Sequence, residues 1–122
     1  MKSHIPVSGG GFTGSLIEDT PGPYCIGTGF RPLVHSAFPR QNIYRDEAIG
    51  LNFEHVLNGV AADFDRNRFT PRTDTQSLHA HSDGEVSVLH RAEDSTWGIE
   101  SSMRYVLREA NAVDLTFSVT IR

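Results

Sequence analysis

From Thr96 to Arg122 the chain reads TWGIESSMRYVLREANAVDLTFSVTIR, and this stretch restricts the fold more than any other. Trp97, Ile99, Ser101, Met103, Tyr105 and Leu107 recur at spacing two, with Gly98, Glu100, Ser102, Arg104, Val106 and Arg108 between them. Strand side chains alternate between faces, so the pattern predicts a strand with one apolar side. After Glu109-Ala110-Asn111 the alternation resumes: Val113, Leu115, Phe117, Val119 and Ile121 fall on one side, Asp114, Thr116, Ser118, Thr120 and Arg122 on the other. Loop length then sets the register. A three-residue loop places Leu107 against Val113, Tyr105 against Leu115, Met103 against Phe117 and Ile99 against Ile121, so the two apolar faces coincide. A two-residue loop would set Leu107 against Asp114. Asn111 suits the left-handed backbone position that such three-residue loops need.

An arm of about twelve residues runs roughly 40 Å at ~3.3 Å per residue, against a diameter of roughly 35 Å for a compact chain of this size. A one-sided sheet of that reach needs a covering layer, and its last strand leaves an edge open to pairing. The expectation is an all-β fold, an antiparallel β-sandwich with a long C-terminal hairpin, in which residues 1–122 form one domain. That sandwich either closes on its own N-terminal strands or is a fragment or subunit of a larger one. Assembly is expected through β-strand edges, as a homo-oligomer or with a partner chain.

Upstream of the hairpin, Gly and Pro divide SGGGFTGSLIEDTPGPYCIGTGFRP into pieces that suit short strands near Phe12–Glu18 and Tyr24–Ile26. SGGGF reads as a turn, since no Lys-Ser/Thr follows it as a phosphate cradle would require. Pro32–Phe38 is another short apolar run. RDEAIGLNFEHVLNG carries apolar residues at both helical and strand spacing; Gly50 in the interior tilts the reading to a strand. Ala62–Thr75 is a polar loop with three arginines, and after it Asp83-Gly84 forms a two-residue turn between alternating runs. That turn, carried on regularly, pairs His81 with Val86 and His79 with Val88.

Composition narrows the function classes. Apolar residues make up 38%, charged residues 21%, and the net charge of −4 comes with only eleven scattered Lys and Arg, so phosphate-backbone binding has little to act on. No nucleic-acid partner is expected. No apolar run reaches the length of a signal peptide core or a membrane span, which predicts a soluble cytoplasmic protein without a membrane partner. The single cysteine, Cys25, leaves no internal disulfide and has no basic neighbour to activate it.

Two constellations carry candidate chemistry. In GLNFEHVLNG and its neighbouring loops, Glu54 and His55 supply an acid and a base. Arg45, Asn52 and Arg72 supply multi-donor hydrogen bonding, and Trp97 or Tyr44 offers a ring to stack on a sugar. The competing account is a charged loop whose arginines bridge to Asp63, Asp65 and Asp74. The second constellation is HAHSDGE. His79 and His81 are two apart, and the regular hairpin register brings His90 onto the same face, three imidazoles suited to zinc, iron or nickel. The spacing His-x-His-x3-Glu, ending on Glu85, resembles the first motif of cupins. Thr73 and Ala92 stand where that motif has glycines, and no proline after Pro71 supplies the second motif.

FPRQNIYRDEAIGLNFEHVLNG, RFTPR and STWGIESSMRYVLREANAVDLTFSV resemble the N-terminal part of uncharacterised bacterial proteins with a galactose-mutarotase-like β-sandwich, over roughly residues 38 to 121. The resemblance implies a longer sandwich and a carbohydrate ligand on its concave sheet. The catalytic histidines and acid of mutarotases do not map onto this chain, so no catalytic residue is carried over. Three functions are therefore in play: a mutarotase-like carbohydrate-binding or carbohydrate-processing module needing no cofactor; a small cupin-like enzyme holding a divalent transition metal on His79, His81 and His90; and a non-catalytic subunit that donates strands to an assembly.

Overall fold

The computed structural model describes residues 3–18, 28–44, 50–51, 74–95, 98–109 and 111–121. These residues build two antiparallel sheets. One holds β1 (Ser3–Gly9), β2 (Phe12–Glu18) and β3 (Gly29–His35) in chain order; the other holds β4 (Ser77–Ser82), β5 (Glu85–His90), β6 (Ile99–Arg108) and β7 (Ala112–Ile121), also in chain order. The protein is an all-β sandwich. Among the described residues no helix is long and apolar enough to cross a membrane.

Two tight turns bring the sheets together. Gly10 and Gly11 join β1 to β2 with φ of 56° and 85°, the pair of positive angles that a two-residue hairpin loop demands. The turn lies against β6 so closely that a Cβ on Gly10 would sit 1.8 Å from the Arg108 carbonyl oxygen, which excludes any side chain there. At the same end the Asp83-Gly84 turn is held from both sides. Its Asp83 carbonyl accepts from the Ser8 N–H at 2.8 Å, and its Gly84 carbonyl accepts from the Leu107 N–H at 2.8 Å.

Between the sheets Val7, Phe12, Leu16, Phe30 and Leu33 interleave with Val86, Val88, Met103, Tyr105 and Leu107. Each such side chain contributes roughly 1.5–3 kcal/mol on burial. The rings of Phe30 and Tyr105 meet edge to face, 4.8 Å between centroids, across the sandwich. The Tyr105 hydroxyl donates to the Leu51 carbonyl at 2.5 Å, and the Phe30 backbone exchanges hydrogen bonds with Gly50 at 2.9 Å in each direction. The rest of the 46–58 segment, read as a strand from its spacing, lies outside the described residues, as does Tyr24–Ile26.

The C-terminal hairpin has the expected register: Leu107 faces Val113, Tyr105 faces Leu115, Met103 faces Phe117 and Ile99 faces Ile121. Asn111 takes the left-handed conformation, φ 58°. Its Oδ1 accepts from His35 Nε2 at 2.9 Å, while His35 Nδ1 accepts from the Ala37 N–H at 3.1 Å, which ties the hairpin loop to the end of β3. The two apolar faces, however, have different fates. On β6 the face formed by Ser101, Met103, Tyr105 and Leu107 is buried, whereas on β7 Leu115, Val119 and Ile121 are 42%, 44% and 82% exposed. The covering sheet lies over β4, β5 and β6, through β1 and β2. β7 extends past that cover.

The β4–β5 hairpin departs from the regular register. Ser82 faces Glu85, but a bulge falls between Ala80 and Ser82, after which Ala80 faces Val86, His79 faces Ser87 and Leu78 faces Val88. One extra residue, His81, reverses the faces of everything before it in β4. The physical reason lies in what each register would bury. Without the bulge His79 and His81 would lie beside Val86 and Val88 in the core; with it, Leu78 takes that place and packs against the buried cluster.

Candidate functional site

Of the residues expected to handle a sugar, Arg45, Asn52, Glu54, His55, Arg72 and Trp97 all lie outside the described residues. Tyr44, the other stacking candidate, is described and is half-buried. Its ring lies where a Cβ on Gly50 would come within 2.1 Å of it, and it packs against the core cluster, so it is not a free platform. Burial raises the pKa of its hydroxyl.

The three histidines proposed as metal ligands do not converge. His90 is on the core face of β5 with Val86 and Val88, 1% exposed, and its Nε2 lies 3.4 Å from Asp74 Oδ2. The bulge puts His79 and His81 on the opposite, solvent side of the sheet, where His79 Nε2 pairs with Ser77 Oγ at 3.0 Å and His81 Nε2 with Ser87 Oγ at 2.9 Å. Among the described residues no group of three or more His, Cys, Asp or Glu side chains is placed to hold a metal. Glu85 keeps the place opposite Ser82 that the regular register gives it. It shares the outer face with His81, and Arg104 donates to its Oε2 at 2.6 Å. That hydrogen bond, with the nearby charges of Arg104, His81 and Arg108, holds the carboxyl below its ordinary range. The motif HAHSDGE is therefore one exposed pair of imidazoles beside an ion pair.

At one end of the core the strands place Gln76, His90 and Ser101 in neighbouring positions, with Ser101 opposite His90 and Gln76 one residue before the Ser77–Leu89 pair. All three are buried, and Asp74 reaches His90 from the start of β4. Ser, His and Asp are the residue types of a hydrolytic triad, but the geometry is not one. The histidine turns Nε2 to the acid, whereas a triad presents Nε2 to the nucleophile and Nδ1 to the acid. Ser101, at 1% exposure, also offers no access to a substrate. The row works as a polar layer closing the end of the core.

What remains on the described surface is the outer edge of β7. The Leu107 N–H points to Gly84, on the β5 side. Antiparallel ladders alternate, so odd-numbered residues of β6 bond towards β5 and even-numbered ones towards β7. Their partners on β7 are Ala112, Asp114, Thr116, Ser118 and Thr120. The peptide groups of Val113, Leu115, Val119 and Ile121 consequently point away from β6, to the edge beyond which no strand stands among the described residues. The same odd-numbered residues carry the apolar side chains. Spacing two made the apolar face legible in the sequence; the direction of the peptide groups follows only from the Leu107–Gly84 hydrogen bond, and the exposure only from where the second sheet stops.

The class defined by these features is a two-sheet antiparallel β-sandwich with an open apolar edge. The chain matches no protein-family model, no curated protein and no solved structure.

Proposed function

We propose that the protein is a non-catalytic assembly module, a β-sandwich whose last strand pairs with a strand outside its own sheet. The observation that carries this reading is the combination on β7 of exposed Leu115, Val119 and Ile121 with peptide groups directed outward. A paired strand would satisfy those groups and shield the side chains in one step, as in recognition by strand addition. The other edges support the reading by contrast, because each carries a device against pairing. β1 contains Pro6, which has no N–H, and its Ser8 N–H is taken by Asp83. β3 contains Pro32 and is lined by its own chain: Asn42 Oδ1 accepts from the Leu33 N–H at 3.0 Å, and the Ile43 N–H donates to the Leu33 carbonyl at 2.8 Å. β4 is short and bulged. Over its ten residues β7 has no proline, glycine, lysine or bulge.

Sedimentation of the full chain beside Val119→Lys tests the proposal. An ammonium in the middle of the open edge is expected to abolish association while leaving the fold intact. A wild-type chain that stays monomeric up to about 1 mM, where only ~4 kcal/mol would suffice for pairing, defeats it.

A further inference from the structure

On the solvent face of the β4–β5 hairpin, we infer that His79 and His81 form a two-imidazole chelate for a divalent transition-metal ion that prefers nitrogen ligands: Cu²⁺, Ni²⁺ or Zn²⁺. The bulge creates the site. It turns both side chains outward and gathers them around one residue. His79 lies opposite Ser87 in the ladder, and His81, the extra residue, brings its Nε2 to 2.9 Å from Ser87 Oγ. Both imidazoles are exposed. Alternate residues of a strand lie roughly 6.6 Å apart. Two imidazoles on one face can close that separation on a single ion held at the usual ~2.0–2.1 Å from each nitrogen.

The hydrogen bonds of the pair point the same way. Each Nε2 is engaged by a serine hydroxyl, His79 by Ser77 Oγ at 3.0 Å and His81 by Ser87 Oγ. A hydroxyl oxygen can accept as well as donate, and a ring whose Nε2–H donates to it keeps the lone pair on Nδ1. Among the described residues neither Nδ1 has a hydrogen-bond partner. Ligating histidines almost always donate their second ring N–H to a fixed acceptor, which sets the tautomer and the ring orientation. Ser77 and Ser87 hold that position here, one for each ring.

Charge does not oppose the site. Arg104 faces Ser87 across β5 and β6, but its guanidinium is paired with Glu85 at 2.6 Å, so the two charges balance. Because Glu85 is taken by Arg104 and His90 lies in the core on the other face, the protein supplies two nitrogens and water completes the shell. Such a site does not suit Mg²⁺ or Ca²⁺, which take oxygen ligands, and among the imidazole-binding ions it favours Cu²⁺.

Calorimetric titration of the untagged full chain with CuCl₂, NiCl₂ and ZnCl₂ tests the inference. One ion per chain is expected, bound most tightly for Cu²⁺. His79→Ala and His81→Ala, at exposed positions where circular dichroism should show a retained fold, are each expected to abolish that binding. Ser77→Ala combined with Ser87→Ala keeps both rings and is expected to weaken binding by roughly 10–100-fold. Ring-nitrogen NMR of the wild-type chain with Zn²⁺ is expected to place the ion on Nδ1 of both histidines. No binding by wild type at ~1 mM of any of the three ions, or binding undiminished in either histidine variant, overturns the site. One ion shared by two chains overturns chelation within a single chain. An ion on Nε2, or full affinity in the double serine variant, overturns the role given to the two hydroxyls.

Discussion

Removing one oxygen atom from the centre of the sandwich measures how far the two sheets depend on each other. Tyr105 has no exposed surface, its ring stacks edge-on to Phe30, and its hydroxyl donates to the Leu51 carbonyl while lying 3.6 Å from the Met103 sulfur. Tyr105→Phe keeps the ring and deletes the donor. A hydrogen bond contributes about 1 kcal/mol net, and leaving the half-buried Leu51 carbonyl short of a partner adds up to ~1 kcal/mol. The expected loss is therefore ~1–2 kcal/mol, a fall in Tm of roughly 4–8 °C for a chain of this length. The alkaline limb gives an independent sign. Burial, with a smaller contribution from Tyr44, raises the Tyr105 phenol above its ordinary value, so the folded state holds this proton more tightly than the unfolded chain does. Stability from that source is complete below the unfolded pKa of about 10 and drains away as pH rises beyond it, by up to roughly 1.4 kcal/mol per pH unit. Urea unfolding of both proteins, at pH 7 and then from about pH 9.5 to 11, reads both effects. Wild type is expected to start higher and to lose stability faster, so the gap narrows with pH. Equal stability at pH 7 with an unchanged m-value, or parallel alkaline limbs, would refute the placement of this hydroxyl against Leu51.

Other substitutions probe separate parts of the structure. Leu78→Ala is expected to lose about 1–2 kcal/mol and His79→Ala and His81→Ala less than ~0.5 kcal/mol each, because the bulge turns the leucine in and the histidines out; urea unfolding that showed the reverse order would restore the regular register. Asn111→Ala is expected to cost about 1–2 kcal/mol, since it combines a left-handed backbone with loss of the His35 contact, whereas Asn111→Gly, which relieves the backbone, should cost visibly less in the same assay. Glu85 has a depressed pKa, so its pairing with Arg104 stabilises the fold above the ordinary carboxylate range and is lost as pH falls through the folded value. The Tm difference between wild type and Glu85→Gln should accordingly be present at pH 7 and shrink steadily as pH falls below the ordinary carboxylate value of about 4.3; a difference that stays constant on acidification contradicts the pairing.

The reading of the histidines shows where pattern gives out. Asp83-Gly84 signalled the β4–β5 turn correctly, and extending it at period two put His79, His81 and His90 on one face. The energy that decides the matter is not local to the turn. Burying Leu78 beside Val88 and keeping two imidazoles in solvent outweighs the cost of one bulge, and a bulge leaves no mark in residue spacing. β1 was missed for a related reason. SHIPVSG offers only Ile5 and Val7 at strand spacing around Pro6, too little to be read alone, yet Val7 is 4% exposed because β2 on one side and the Asp83 turn on the other complete it.

What the chain determines by itself is therefore what nearest neighbours can encode: the two-residue phase of β6 and β7, the loop length that aligns them, the left-handed Asn111 and the glycine turn at Gly10-Gly11. What only the folded molecule decides is which apolar faces end up covered. Tyr105 and Leu115 sit opposite each other on the apolar side of the hairpin, one fully buried and the other exposed, because the sheet formed by β1, β2 and β3 lies over β4 to β6. Alternation states that a strand has an apolar side; the width of the layer packed against it determines whether that side becomes core or contact surface, and width is a property of the whole sandwich.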